Sequence, residues 1–462
     1  MKRRFLFGTG FRGLSGDFQK IVSNLAWLLG DRIFRMSLSL VVGVWVARYL
    51  GPQDFGLYNY AIAIIGMFGS FANLGLNNLV IRDLAGISSA ADGTPHSIST
   101  GKNRLLGTTS SLRLMGGVVA SLLSLITVTV LKPEDLVLRR LVLILSIGTL
   151  FESFYVIDLW FRSQTLSKFT VIVRNSSYLV ATILKVTMIS INASVIAFAG
   201  VRLSEILLTV AGFLLIYKFQ GKSSVLNWKP SYSQGKKLLL ESWPIFLQGL
   251  TIFFYTQLDQ LMLGSMFDDA SELGIYSAAV RISEVFNFVP IIVASSILPK
   301  LTDLRAKDAK KYDEKFQAYF DLMMYLWILI AIPISLLSPL IIKLLFGQAF
   351  AASALVLSIY VWAQFGTNFG TARSTYLTIE GGKKLRLSLY ASVIGVALNF
   401  ILNFLLIPRY GAVGATIATL FTYFAVTILT NFIFKELEYV GQKILKSCNL
   451  YKAAFRIYGL LK

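Results

Sequence analysis

Runs of about twenty apolar residues recur along the whole chain, and each is long enough to cross a hydrocarbon core near 30 Å thick. Twelve are counted, centred near Leu38, Ile65, Leu122, Leu150, Ala181, Leu207, Phe253, Phe286, Ile328, Trp362, Leu398 and Phe421. Only 15% of the residues are charged, against about 25% in an ordinary globular domain. The expectation is an all-α polytopic membrane protein of twelve transmembrane helices. The basic start MKRRF precedes an apolar run from Ile21 to Val46. That run is too long for a cleaved leader and is read as a retained first span.

The links between runs sort by charge. On one side lie 1–20, 82–104, 161–169, 218–237, 300–315, 383–386 and 435–462, with 30 Lys and Arg; the other side holds six, and eight fall inside spans. Because cytoplasmic loops accumulate Lys and Arg, this ratio places both termini in the cytoplasm of a cell-membrane protein. Membrane topology also accounts for the net charge of +20, since the cations are dispersed between spans and not gathered on a nucleic-acid-binding face. Every external link is short, which leaves no room for a catalytic domain there. The single histidine, His96, and the single cysteine, Cys448, exclude a Cys/His metal cluster and a disulfide framework. GTGFRG at 8–13 fits a dinucleotide motif by chance, with no strand before it. No enzyme and no resident cofactor are expected.

The chain repeats itself. LGPQDFGLY at 50–58 and LGSMFDDASELGIY at 263–276 share Leu-Gly, a polar link and Gly-aliphatic-Tyr, with Gly56 and Gly274 separated by 218 positions. Two six-span units are expected: residues 1–217 as the amino-terminal lobe, 218–237 as a cytoplasmic linker and 238–436 as the carboxy-terminal lobe. Because six is even, the lobes are related by an axis along the membrane normal. Residues 437–462 read as a basic amphipathic cytoplasmic tail.

Arg48-Tyr49-Leu50-Gly51-Pro52, Phe55-Gly56-Leu57-Tyr58, Leu74-Gly75-Leu76 and Arg82, with Asn403 through Pro408, Gly411 and Gly414 later, carry a resemblance. This pattern resembles Wzx-type polysaccharide flippases of the multidrug/oligosaccharidyl-lipid/polysaccharide exporter superfamily. The resemblance implies two lobes that turn a prenyl-pyrophosphate-linked oligosaccharide from the cytoplasmic to the outer leaflet by alternating access, for cell-surface polysaccharide synthesis. Membrane lipids and other polysaccharide-assembly proteins are its implied partners. The alternative is a cation-coupled small-molecule exporter of the same superfamily.

Charges inside the spans sharpen this reading. Each charge at the bilayer centre costs roughly 2.5–3.5 kcal/mol on insertion scales. Arg32, Arg35, Arg113, Arg174, Lys185, Arg202, Arg281 and Arg373 therefore face a hydrated cavity or are paired. Local spacing offers Asp31–Arg35, Arg202–Glu205 and Arg281–Glu284 as pairs. Arg174, Tyr178 and Lys185 share one helix face, as do Arg32, Arg35 and Ser39. These eight cations are the candidate substrate-binding residues, since guanidinium groups bind phosphate oxygens bidentately. Asp31 and Asp259 are the candidate ion-coupling residues, with Na⁺ or H⁺ left open. Asp259 has no cation within one helical turn.

Overall fold

The computed structural model describes residues 16–88, 94–220, 224–381 and 384–461, which are helical, with no strand among the described residues. Among them nine helices are long and apolar enough to cross a membrane. Two of these, Arg35–Ile87 with 53 residues and Leu387–Ile433 with 47, would extend roughly 80 and 70 Å if straight, more than twice the hydrocarbon core. Both are broken at a glycine with positive φ, Gly51 at 72° directly before Pro52 and Gly411 at 53° after Pro408. A left-handed φ suits glycine because it has no Cβ, and proline supplies no N–H to continue the helical ladder.

The stretch expected as a span around Trp362 is not one of the nine. It is a helix Ser353–Tyr360, a 3₁₀ turn Val361–Ala363 and a helix Gln364–Glu380. Its hydropathy is lowered by buried Gln364, Asn368 and Arg373. These polar groups are satisfied inside the protein: Gln364 donates to the Ser283 carbonyl at 3.1 Å and Asn368 to the Met323 carbonyl at 3.4 Å. The tail forms two helices, Glu438–Ser447 and Leu450–Leu461, of 10 and 12 residues. At 1.5 Å per residue each is too short to span a bilayer.

The chain divides into two compact units, one made of Met1–Val42 with Phe68–Leu247 and the other of Gly43–Met67 with Gln248–Lys462. The first is packed around a fully buried cluster that includes Leu76, Val80, Leu105, Leu106, Val156, Phe161 and Phe213. The second is knit by aromatic rings: Phe365 stacks on Phe424 at 4.3 Å and meets Trp327 edge-on at 5.1 Å. Such pairs add about 0.5–1.5 kcal/mol beyond the burial of their area. Leu329, Leu336, Leu340 and Leu344 on the helix Ala309–Leu345 are 52–76% exposed. They form one helical stripe of the kind that faces lipid and not water.

In the second unit the tail is held by charge. Arg456 reaches Asp321, which is fully buried, at 2.6 and 2.8 Å. Ser447 donates to the same carboxylate at 2.8 Å, and Lys443 pairs with Asp313 at 2.7 Å.

Candidate functional site

The first unit contains a polar cavity of about 190 Å³ whose lining includes Asn73, Asn77, Arg113, Glu152, Asp158, Arg162 and Arg174. Three guanidinium groups stand there against two carboxylates, so the cavity carries an excess of positive charge. Its architecture begins at a turn. Leu74 and Gly75 both adopt positive φ, 50° and 67°, which ends the helix Gly16–Asn73 and starts Asn77–Ser88. A Cβ on Gly75 would lie 2.8 Å from the Phe246 backbone nitrogen, so the turn needs glycine for close approach as well as for its torsion. The turn leaves Asn73 and Asn77 on either side of it, and both accept from Arg113 Nη2, Asn73 at 3.1 Å. The Arg113 Nε is buried and has no hydrogen-bond partner among the described residues. A buried donor left unsatisfied costs about 1–3 kcal/mol, and an anion in the cavity would relieve it.

Arg174, on the helix Ser167–Ser190, donates to Asp158 Oδ2 at 2.7 Å, and its guanidinium lies 5.9 Å from the Phe213 ring centre. Asp158 is buried, and Arg162 is 4.0 Å away on the same short helix, Val156–Ser163. One carboxylate thus holds two guanidinium groups at the cavity wall.

The other candidate cations are placed differently. Arg202 pairs with Glu205 at 3.0 Å, and Lys185 lies 5.5 Å from the Tyr178 ring. Neither lines the cavity. Arg281 belongs to the second unit, where its guanidinium covers Gly43 and lies 6.0 Å from the Phe55 ring. Arg373 is buried in that unit and donates at 3.1 Å to both the Val426 carbonyl and Thr430 Oγ1. Val426 stands in a π-helical turn, Ala425–Leu429, whose widened geometry departs from the regular ladder of carbonyl acceptors. Arg35 is half-buried, and the side chains of Asp31 and Arg32 lie outside the described residues.

The second unit holds a separate polar centre. Asp259 is buried on the helix Tyr232–Met266 and accepts from Tyr276 at 2.6 Å, from Asn403 at 2.5 Å and from Thr419. Asn403 also donates to Asn399 Oδ1 at 2.9 Å. Asn399 and Asn403 precede the break at Gly411 and Thr419 lies beyond it, so both halves of the broken helix meet one carboxylate. Asn403 Oδ1 is buried without a hydrogen-bond partner among the described residues. A cluster of oxygens with one unsatisfied acceptor suits a hard cation.

Spacing alone does not single out Asn73, Asn77 or Arg162. Sorting the links by charge puts Arg162 in a connection, although it comes four residues after Asp158 and so shares its helix face. The two asparagines flank the Leu74-Gly75-Leu76 motif symmetrically, which is the signal that could have found them.

A bundle of long apolar helices, broken at glycines and carrying buried charge beside a polar cavity, defines a multi-pass membrane protein of transporter class. The chain belongs to the polysaccharide biosynthesis protein family, whose profile matches residues 21–305; a MatE profile matches 244–405. It is 27% identical over 207 residues to the probable low-salt glycan biosynthesis flippase Agl15 of Haloferax volcanii, a match spanning 44% of this chain and 42% of that protein. It is 21% identical to the putative O-antigen transporter of Shigella flexneri, over 86% of this chain and 94% of that one. In fold it is similar to the lipid II flippase MurJ in an inward closed conformation, with TM-score 0.67, 15% identity and 95% and 96% of the two chains covered. An inward-facing multidrug resistance MATE transporter is equally similar, with TM-score 0.67 and 15% identity over 90% and 99%. The resemblance to the flippases of this superfamily is met.

Proposed function

We propose that this protein translocates a prenyl-pyrophosphate-linked oligosaccharide from the cytoplasmic to the outer leaflet of the cell membrane by alternating access. The observation that carries this reading is the cavity in the first unit, where Arg113 retains an unsatisfied Nε and Arg174 stands on Asp158. A pyrophosphate offers the oxygens that such guanidinium groups bind in a site of low dielectric. The prenyl tail stays in lipid, where burying it costs nothing. Arg32 and Arg35, which belong to the same unit, are in this reading further cations that serve the anionic head group. Agl15 and MurJ, both named as flippases, support a lipid-linked substrate.

In this reading the chain has twelve spans in two six-helix lobes with both termini cytoplasmic. Dividing the two broken helices at Gly51 and Gly411 and adding the stretch centred on Trp362 reaches that number. Asp259, with Asn399, Asn403 and Thr419, is the seat of the coupling cation, Na⁺ or H⁺. Arg202, Lys185, Arg281 and Arg373 support the helices and do not bind substrate. A cation-coupled exporter of small molecules is the second reading, favoured by the Asp259 centre alone.

The deciding experiment reconstitutes the protein in liposomes with a fluorescent prenyl-pyrophosphate oligosaccharide and measures its exposure to a glycosidase in the opposite compartment. Exposure that requires the protein and disappears in Arg113→Ala and Arg174→Ala supports the flippase. Exposure at the protein-free rate, or unaltered by both substitutions, overturns it.

A further inference from the structure

A second cavity, of about 250 Å³, lies in the second unit, with its walls on the helices Phe288–Lys307, Ala309–Leu345 and Leu450–Leu461. Its apolar lining includes Leu301, Ala318, Leu322 and Ile457, the last from the tail. Lys300, which is exposed, and Lys315, which is half-buried, also border it. An apolar chamber edged by two ammonium groups is complementary to an acyl chain that ends in an anionic headgroup.

The tail helix has the character of an element at a lipid surface. Its inner face is fixed to the protein through Ala453, fully buried, and through Arg456 on Asp321 at 2.6 Å. On the opposite face Tyr451 and Phe455 are 74% and 61% exposed and pack edge to face at 4.9 Å, with exposed Lys452 beside them. Aromatic side chains and lysines arranged in this way sit at the boundary between headgroups and acyl chains. Ile457, which lines the cavity, belongs to this same helix, so the element that forms one wall of the chamber also carries the aromatic and basic face.

We propose that this cavity binds one anionic glycerophospholipid drawn from the surrounding leaflet. Part of one acyl chain enters the chamber, the phosphate lies at Lys300 and Lys315, and the tail helix forms one wall beside it. The site is separate from the arginine cavity, which belongs to the other unit, and the inference does not depend on what is transported.

The test is native mass spectrometry of the full chain in neutral detergent with added phosphatidylglycerol or phosphatidylcholine of identical acyl chains. At least ten-fold preferential retention of a single phosphatidylglycerol is expected. The pair Lys300→Gln and Lys315→Gln should lower retention to the phosphatidylcholine level, and truncation after Asn449 should lower it while helix content outside the tail persists by circular dichroism. Lys300 is exposed, and circular dichroism of the lysine pair checks that the fold is retained. Equal retention of the two lipids, or phosphatidylglycerol retention unchanged by the lysine pair, overturns the proposal.

Discussion

Gly56 and Gly274 pack into each other's motifs. A Cβ on Gly56 would lie 1.9 Å from the Ala270 carbonyl oxygen and 2.8 Å from the Gly274 nitrogen, and a Cβ on Gly274 would lie 1.9 Å from the Pro52 carbonyl oxygen. The two repeated stretches therefore meet reciprocally inside one compact unit, and each glycine exists to admit the other's backbone. Backbone cannot swing aside as a long side chain does. Gly56→Ala and Gly274→Ala should each destabilise by about 2 kcal/mol or more. Gly69→Ala, where nothing lies within 4 Å, should be neutral. Thermal unfolding of the solubilised protein compares the three.

Buried Arg113 and half-buried Arg174 face a cavity, whereas buried Arg373 does not. Charge-assisted hydrogen bonds contribute about 1.5–3 kcal/mol each, so removing either guanidinium should weaken pyrophosphate binding roughly 10- to 150-fold. Isothermal titration with inorganic pyrophosphate reads this directly. Arg373→Gln, by contrast, should lower thermal stability and leave pyrophosphate affinity unchanged, because Arg373 is spent on Val426 and Thr430.

Asp259→Asn keeps the size of the side chain and removes its charge. Transport in liposomes should lose its response to an imposed Na⁺ gradient, while Tyr276, Asn403 and Thr419 keep the residue in place. An undiminished Na⁺ response in this variant would remove the coupling role and leave Asp259 as a junction between helices.

Glu380, at the end of the helix Gln364–Glu380, gives a pH dependence. Burial pushes its carboxyl up, but Arg305 at 2.7 Å and Lys384 at 3.0 Å outweigh burial and hold it below its ordinary value of 4.5. A depressed folded value means that the clamp contributes stability above pH 4.5 and loses it as pH falls through the lower folded value. The melting temperature of the natural protein should exceed that of Glu380→Gln at pH 7, and the gap should close as the pH falls through the depressed folded value.

Spacing along the chain made the helices legible, because a hydrocarbon core admits apolar runs of one length. It also made legible what lies three or four residues apart, as with Arg202 and Glu205 at 3.0 Å. It could not anticipate that Arg174 stands on Asp158, sixteen positions earlier, since that pair depends on how two helices pack. The stretch around Trp362 shows the opposite limit. Its hydropathy is low because Gln364, Asn368 and Arg373 are satisfied by neighbouring helices, and a window along one segment has no view of such partners.

The widened turn at Ala425–Leu429 accommodates one residue more than a regular helix would. Each added residue rotates the subsequent helical stretch by about 100°, so this turn sets which side of the last helix looks inward, where Thr430 and Asn431 are buried. Deleting a single residue there would keep the composition of the segment and swing Asn431 toward lipid, unseating the start of the tail that Asp321 anchors farther on.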